Sequence, residues 1–241
     1  MNLIPLPLDD ELAMPRPYIL LGSVKIAPFK DPHVKPYGPF SNATRAWEYP
    51  VKQTITMHGE QFHFNWPSSE HAFHAQKIIH LKLKLSSTDP RQFILTNTLH
   101  QLENTKNNPQ DEFLPQHDYN MLIKNLIEHH PTLYFGTNKK EFDALCDVNF
   151  HNIKSSKLAL MPNGEPYLLQ FMRHTLKMKF DQNPELKQLV IDCACEEILP
   201  INVSHLDNYW ASGPKGEGQN KLGITLLELG NHYLIQQGNL S

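Results

Sequence analysis

A carboxylate, an imidazole and an amine recur at helical spacing in Glu70, His74 and Lys77. Four and seven residues are about one and two turns of a 3.6-residue helix, so the three share one face. Glu70 and Lys77 would stand roughly 10 Å apart along the axis. That spacing can bracket a ligand, and it can equally be a solvated charge stripe. The neighbours weaken the charge-stripe reading without removing it, because Ala72, Phe73, Ala75 and Gln76 are small or uncharged. Glu70, His71 and His74 also have the i, i+3 and i, i+4 spacings of metal ligands. Their order is not His-Glu-x-x-His and no third ligand stands out, so no metal is expected.

A second group of residues capable of chemistry runs from Asp207 through Asn208-Tyr209-Trp210-Ala211-Ser212-Gly213 to Gly218-Gln219-Asn220-Lys221. Glycines ahead of a helix can present backbone N–H groups to an anion. Two nucleotide motifs fail here. Gly213 and Gly218 have the spacing of a P-loop, but Gln219-Asn220 stand where Lys-Ser/Thr is required. Gly216-x-Gly218 lacks the third glycine of a dinucleotide fingerprint. Trp210 beside Asp207 reads as a stacking platform next to a carboxylate, or else as a structural loop tryptophan. No Gly-x-Ser-x-Gly elbow occurs, and none of Cys146, Cys193 and Cys195 lies in a nucleophile context, which argues against acyl transfer.

The elements that must hold these residues follow from periodicity. Alternating Ile55, Met57, Phe62, Phe64 and Trp66 around His58-Gly59-Glu60 predict a hairpin over 51–66. Pro67-Ser68-Ser69-Glu70 predicts a serine-capped helix start. Residues 86–118 are polar, with 104–111 reading as an exposed loop, and 121–127 give a helical face. Leu168, Phe171, Met172, Leu176 and Phe180 predict an amphipathic helix. Asn183-Pro184 ends it, a short helix follows over 185–192, a strand over 198–203, and a last helix over 222–234 with Gly238 as its stop. A further strand is expected within 18–26. Eight of the nineteen prolines lie in or just past residues 1–36, where they block long helices. The sum is an α+β fold, mainly helical, with a small antiparallel element.

Composition sets outer bounds. The 241 residues carry 25 acidic and 22 basic side chains, a formal charge of −3, with 40% apolar and 20% charged residues. This is an ordinary globular profile, without the basic stripe needed to grip nucleic acid by bulk charge. Three cysteines cannot build a disulfide framework. The longest apolar stretch, near residues 18–24, is far short of a membrane span, and the acidic, proline-rich N-terminus lacks the positive region of a secretory signal. A cytoplasmic location and no membrane partner are therefore expected.

Three blocks, taken together and in order, resemble the NADAR (YbiA-like) family. They are Phe40-Ser41-Asn42 with Trp66-Pro67-Ser68-Ser69-Glu70-His71-Ala72-Phe73-His74-Ala75-Gln76-Lys77; Met172-Arg173 with Lys179-Phe180-Asp181-Gln182-Asn183; and Asp207-Asn208-Tyr209-Trp210 with Gly213 and Gly218-Gln219-Asn220-Lys221. The matched stretches are 37–77 and 171–235. This divides the chain into a Pro-rich extension, 1–36, and a YbiA-like domain, 37–241, with an enlarged insert at about 80–170. The resemblance implies a hydrolase of N-glycosidic bonds that needs no cofactor. Its substrate would be an ADP-ribosylated base or nucleoside such as ADP-ribosyl-guanosine, or a phosphoribosylated intermediate of riboflavin biosynthesis. ADP-ribosylated nucleic acid is the macromolecular form of the first. Glu70, Lys77 and Asp207 become the catalytic candidates. Asn42, Trp210, Gly213, Gly218, Asn220, Lys221, Gln182 and Asn183 become the substrate-binding ones. Ala211 replaces the glycine usual in the family, which motivates an alternative: an ADP-ribose or nucleotide-binding module with impaired turnover.

Overall fold

The computed structural model describes residues 18–30, 35–42, 48–104, 161–204 and 206–238. The loop read at 104–111, apart from Asn104, and the helical face read at 121–127 lie outside them. Strands β1 (Ile19–Leu21) and β2 (Val24–Phe29) form an antiparallel hairpin about Gly22, whose φ of 64° suits the turn. Strand β5 (Ile198–Asn202) pairs with β2 in parallel, Lys25 opposite Ile198 through Phe29 opposite Asn202. Pro28 is tolerated because β1 pairs only as far as Ile26, which leaves that side of β2 without a ladder. The predicted hairpin is β3 (Val51–Met57) with β4 (Glu60–Trp66), paired from Val51–Trp66 to Met57–Glu60.

Five helices cover these sheets among the described residues: α1 (Ser69–Lys84), α2 (Arg91–Asn104), α3 (Tyr167–Asp181), α4 (Pro184–Cys195) and α5 (Lys221–Gln236). Helix α1 packs on α3 and the β3–β4 hairpin, α4 on α5, and α5 on β5. Side chains from every layer meet in one core that includes Phe40, Trp66, Ile78, Leu176, Phe180, Leu226 and Tyr233. Ala72 and Ala75 are fully buried, their small side chains letting α1 sit close to its neighbours.

The α+β, mainly helical expectation holds. Three details differ from the sequence reading. The 86–118 stretch contains α2, whose buried Leu95, Leu99 and Leu102 follow i, i+4, i+7 within polar surroundings. The sheet is mixed rather than purely antiparallel, because β2 and β5 are parallel. The stretch read as an N-terminal extension also supplies β1 and β2, with Ala27 and Phe29 buried in the common core. No helix among the described residues is long and apolar enough to cross a membrane.

Candidate active site

A cavity of about 250 Å³ opens where β2 and β5 end. Parallel strands leave a crevice beyond their carboxyl ends. Lys30, the residue after β2, and Asn202 and Ser204, at and beyond the end of β5, line it. Helix α1 supplies Glu70 and Phe73, α3 supplies Met172, and the segment ahead of the β3–β4 hairpin supplies Ser41 and Asn42. Asp207, Trp210 and Leu222 close the remaining wall.

Asn42 fastens the start of α1. Its backbone carbonyl accepts from the Glu70 N–H at 3.3 Å and its side-chain oxygen accepts from Ser69 Oγ at 3.0 Å. Its amide nitrogen donates to Met172 Sδ at 3.0 Å. Ser68 stands at the cap position in extended conformation, but its hydroxyl bonds His71 Nδ1 at 2.7 Å instead of a helix N–H. The main chain of Asn42 thus takes over part of the capping expected of serine.

Behind the cavity wall the three residues of the helical stripe touch in sequence. His74 Nε2 lies 2.9 Å from Glu70 Oε1, and Lys77 Nζ lies 2.9 Å from His74 Nδ1. The Glu70 side chain keeps about 21% exposure, whereas Lys77 is 8% exposed and sits over the Phe73 ring. Burial tends to raise the Glu70 carboxyl, but the His74 hydrogen bond and the neighbouring Lys77 charge outweigh it and hold it ionised below its ordinary value. Burial, then the Lys77 charge, pull His74 down against Glu70, keeping the ring neutral. Burial brings the Lys77 ammonium down to about 8, with Glu70 opposing. The same effect pushes His71 down to about 4.

Asp207 Oδ1 accepts from the N–H groups of both Tyr209 and Trp210 at 2.8 Å, the local turn that short acidic side chains favour. Trp210 meets Phe73 edge-on at 5.7 Å and Tyr209 at 4.9 Å between centroids. It is 7% exposed, so only part of its ring faces the cavity.

The glycine-rich loop does not form the anion cradle expected of it. The N–H groups of Gly218, Gln219, Asn220, Lys221 and Leu222 donate to the carbonyls of Ser212, Asn208, Ala211, Tyr209 and Trp210. Five donors that could have faced a phosphate are therefore committed to the loop itself. Gly213 stands at a φ of 72° within this knot, a backbone region that L side chains avoid. Asn220, at a φ of 47°, donates to Pro200 O at 2.9 Å and accepts from Asn202 N at 3.0 Å, tying α5 to β5.

Of the residues picked out by sequence, then, Asn42, Glu70, Asp207 and Trp210 converge on one cavity. Lys77 does not line it and meets Glu70 through His74. Gly213, Gly218, Asn220 and Lys221 do not line it. Gln182 pairs with both backbone groups of Lys52 at 2.8 Å, the Asn183 amide donates to Lys179 O at 2.6 Å, and neither lines the cavity. Lys30, Asn202 and Ser204 line the cavity without any local sequence signal. The parallel pairing of β2 with β5 would have disclosed them, but the two strands lie far apart in sequence.

No group of three or more side chains suited to a metal occurs among the described residues. The chain is similar to YbiA proteins, in sequence over part of its length and in fold over most of it. It is 36% identical over 80 residues to N-glycosidase YbiA of Escherichia coli (strain K12), and equally to that of Shigella boydii serotype 4. The match takes in 32% of this chain and spans about half, 48%, of those curated relatives. The NMR structure of E. coli YbiA superposes over 94% of this chain and 95% of its own, with a TM-score of 0.50 and 22% identity. No family model matches the chain.

Proposed function

We propose that the cavity hydrolyses a ribosyl C–N bond. The observation that carries this reading is the meeting of two carboxylates, Glu70 and Asp207, in one small cavity beside an aromatic wall. Breaking such a bond builds positive charge on C1′ and the ring oxygen, and a fixed carboxylate at that point stabilises the transition state. Glu70 is the better placed of the two, because one oxygen is held by His74 while its side chain still opens on the cavity. One Asp207 oxygen is occupied by two backbone donors, so Asp207 adds negative charge and orients Trp210.

The name N-glycosidase borne by the similar proteins supports the same reaction class. Lys30 is the one lysine or arginine among the described lining residues and the natural partner for a substrate phosphate. At about 250 Å³ the cavity is near the lower end of small-molecule sites. It suits a ribosyl group with its phosphate; the rest of an ADP-ribosyl conjugate would lie outside. ADP-ribosyl-guanosine and a phosphoribosyl-aminopyrimidine are accordingly the two substrates to try. Glu70→Gln is expected to abolish release of the base while ligand binding persists. Hydrolysis at the wild-type rate in that variant would remove Glu70 from the mechanism. Binding of ADP-ribose without turnover by the wild-type protein would favour the binding-module alternative.

A further inference from the structure

We propose that His74 and Lys77 are positioning residues that hold Glu70 as an aimed carboxylate, Lys77 fixing the proton arrangement of the His74 ring and the ring fixing Glu70. The inference rests on the N-glycosidase reading for what Glu70 does, but its geometry stands apart from any substrate. An ammonium has three donors and no acceptor. With Lys77 Nζ at 2.9 Å, His74 Nδ1 must therefore accept, and the ring proton is driven to Nε2. That proton points along the 2.9 Å line to Glu70 Oε1. The polarity of the whole chain, amine to imidazole to carboxylate, is thus set at its most buried end.

Two features make the arrangement more than a surface contact. Lys77 is nearly sequestered and its ammonium faces the Phe73 ring at 5.1 Å, so its position is held by packing. Phe73 also packs against Trp210, which couples the same turn of α1 to the opposite cavity wall. The charged and titratable groups facing this cluster are its helix neighbour His71, Asp207 from the loop before α5, and Lys30 beyond β2; α3 presents the uncharged Met172. When Lys77 loses its proton, the constraint on the ring lapses, Nδ1 can carry the proton, and Nε2 no longer has to donate to Glu70.

The test reads the side chains without a substrate. In full-length protein labelled with 15N-histidine and 13C-glutamate, His74 is expected as the Nε2–H tautomer at pH 7, its signals assigned by their loss in His74→Gln. Raising the pH of the wild-type protein from 7 to 9.5 should shift its ring nitrogens as Lys77 titrates near 8. Lys77→Met should produce a tautomer mixture at pH 7. His74→Ala should raise the midpoint of the Glu70 titration, and His74→Gln, whose amide can both donate and accept, should largely restore it. Invariant His74 signals across that pH range, or an unchanged Glu70 midpoint in a folded His74→Ala, would overturn the proposal. In turnover, His74→Ala should lower kcat by up to roughly 100-fold with KM little changed, as expected of a misplaced catalytic group. Absence of turnover in the wild-type protein, with the spectroscopic results as expected, would contradict the N-glycosidase reading and leave this arrangement standing.

Discussion

Glu70 and Trp210 share a cavity wall but answer to different forces, and substitution separates them. Glu70→Gln removes a charge yet keeps the shape, so its effect should fall on turnover. Trp210 is 7% exposed and packs on two aromatic rings. Trp210→Ala should cost stability as well as binding, about 3–5 kcal/mol of unfolding free energy by the usual cost of deleting a buried aromatic. Equilibrium urea unfolding checks this, and an unchanged midpoint would mean the ring stands free in the cavity. At this scale the sequence was most legible where chemistry and periodicity coincide: Glu70, His74 and Lys77 were visible as a stripe because helical spacing is local. Lys77's place behind His74 was not, since spacing alone does not say which end of a stripe is buried. The glycines of 213–218 misled for a related reason. Their composition suits an anion cradle, but the carbonyls of 208–212 take the N–H groups first.

Among the elements, the loop before α5 is the one on which the cavity most depends. Its backbone knot holds Asp207 and Trp210, and Asn220 pins it to β5 beside Asn202. Asn220→Ala removes one buried and one part-buried hydrogen bond and leaves a non-glycine residue at positive φ, so a loss of about 2–3 kcal/mol is expected. Asn220→Gly, free of the conformational strain, should lose less. A thermal unfolding series of the two variants reads the difference. The β3–β4 hairpin and helices α3 and α5 were foreseen from alternation and i, i+3, i+4 rhythm. Helix α2 was not, because Leu95, Leu99 and Leu102 are separated by threonine, asparagine, histidine and glutamine, which blur the apolar stripe. The β2–β5 pairing was invisible for another reason: no local pattern reports a partner about 170 residues away.

For the molecule as a whole, buried bases set the pH dependence of stability. Lys179 is fully buried, donates to Pro39 O at 2.6 Å and Ser41 O at 2.9 Å, and is driven by burial to about 7, with Glu48 opposing. The unfolded chain keeps that proton to roughly 10. Between these values the unfolded state binds more protons, so stability should rise with pH above 7. Lys179→Met should flatten that rise, as measured by denaturant unfolding at pH 7 and 9. On the acid side His71, at about 4 when folded against roughly 6.5 unfolded, acts with the same sign. Stability should fall as pH drops through that window, and His71→Gln should reduce the fall. His71 lies on α1 and Lys179 on α3, two helices that line the cavity, so the pH dependence of stability reports on the same region as activity.

Incubating the protein with ADP-ribosylated guanosine and, separately, with a phosphoribosyl-aminopyrimidine, with Glu70→Gln as the control, tests the role of the cavity most directly. Release of free ADP-ribose from the first or ribose phosphate from the second, lost in Glu70→Gln, is the predicted result. Cleavage of neither substrate, or cleavage that survives the substitution, would contradict the assignment of this cavity as an N-glycosidase site built on Glu70.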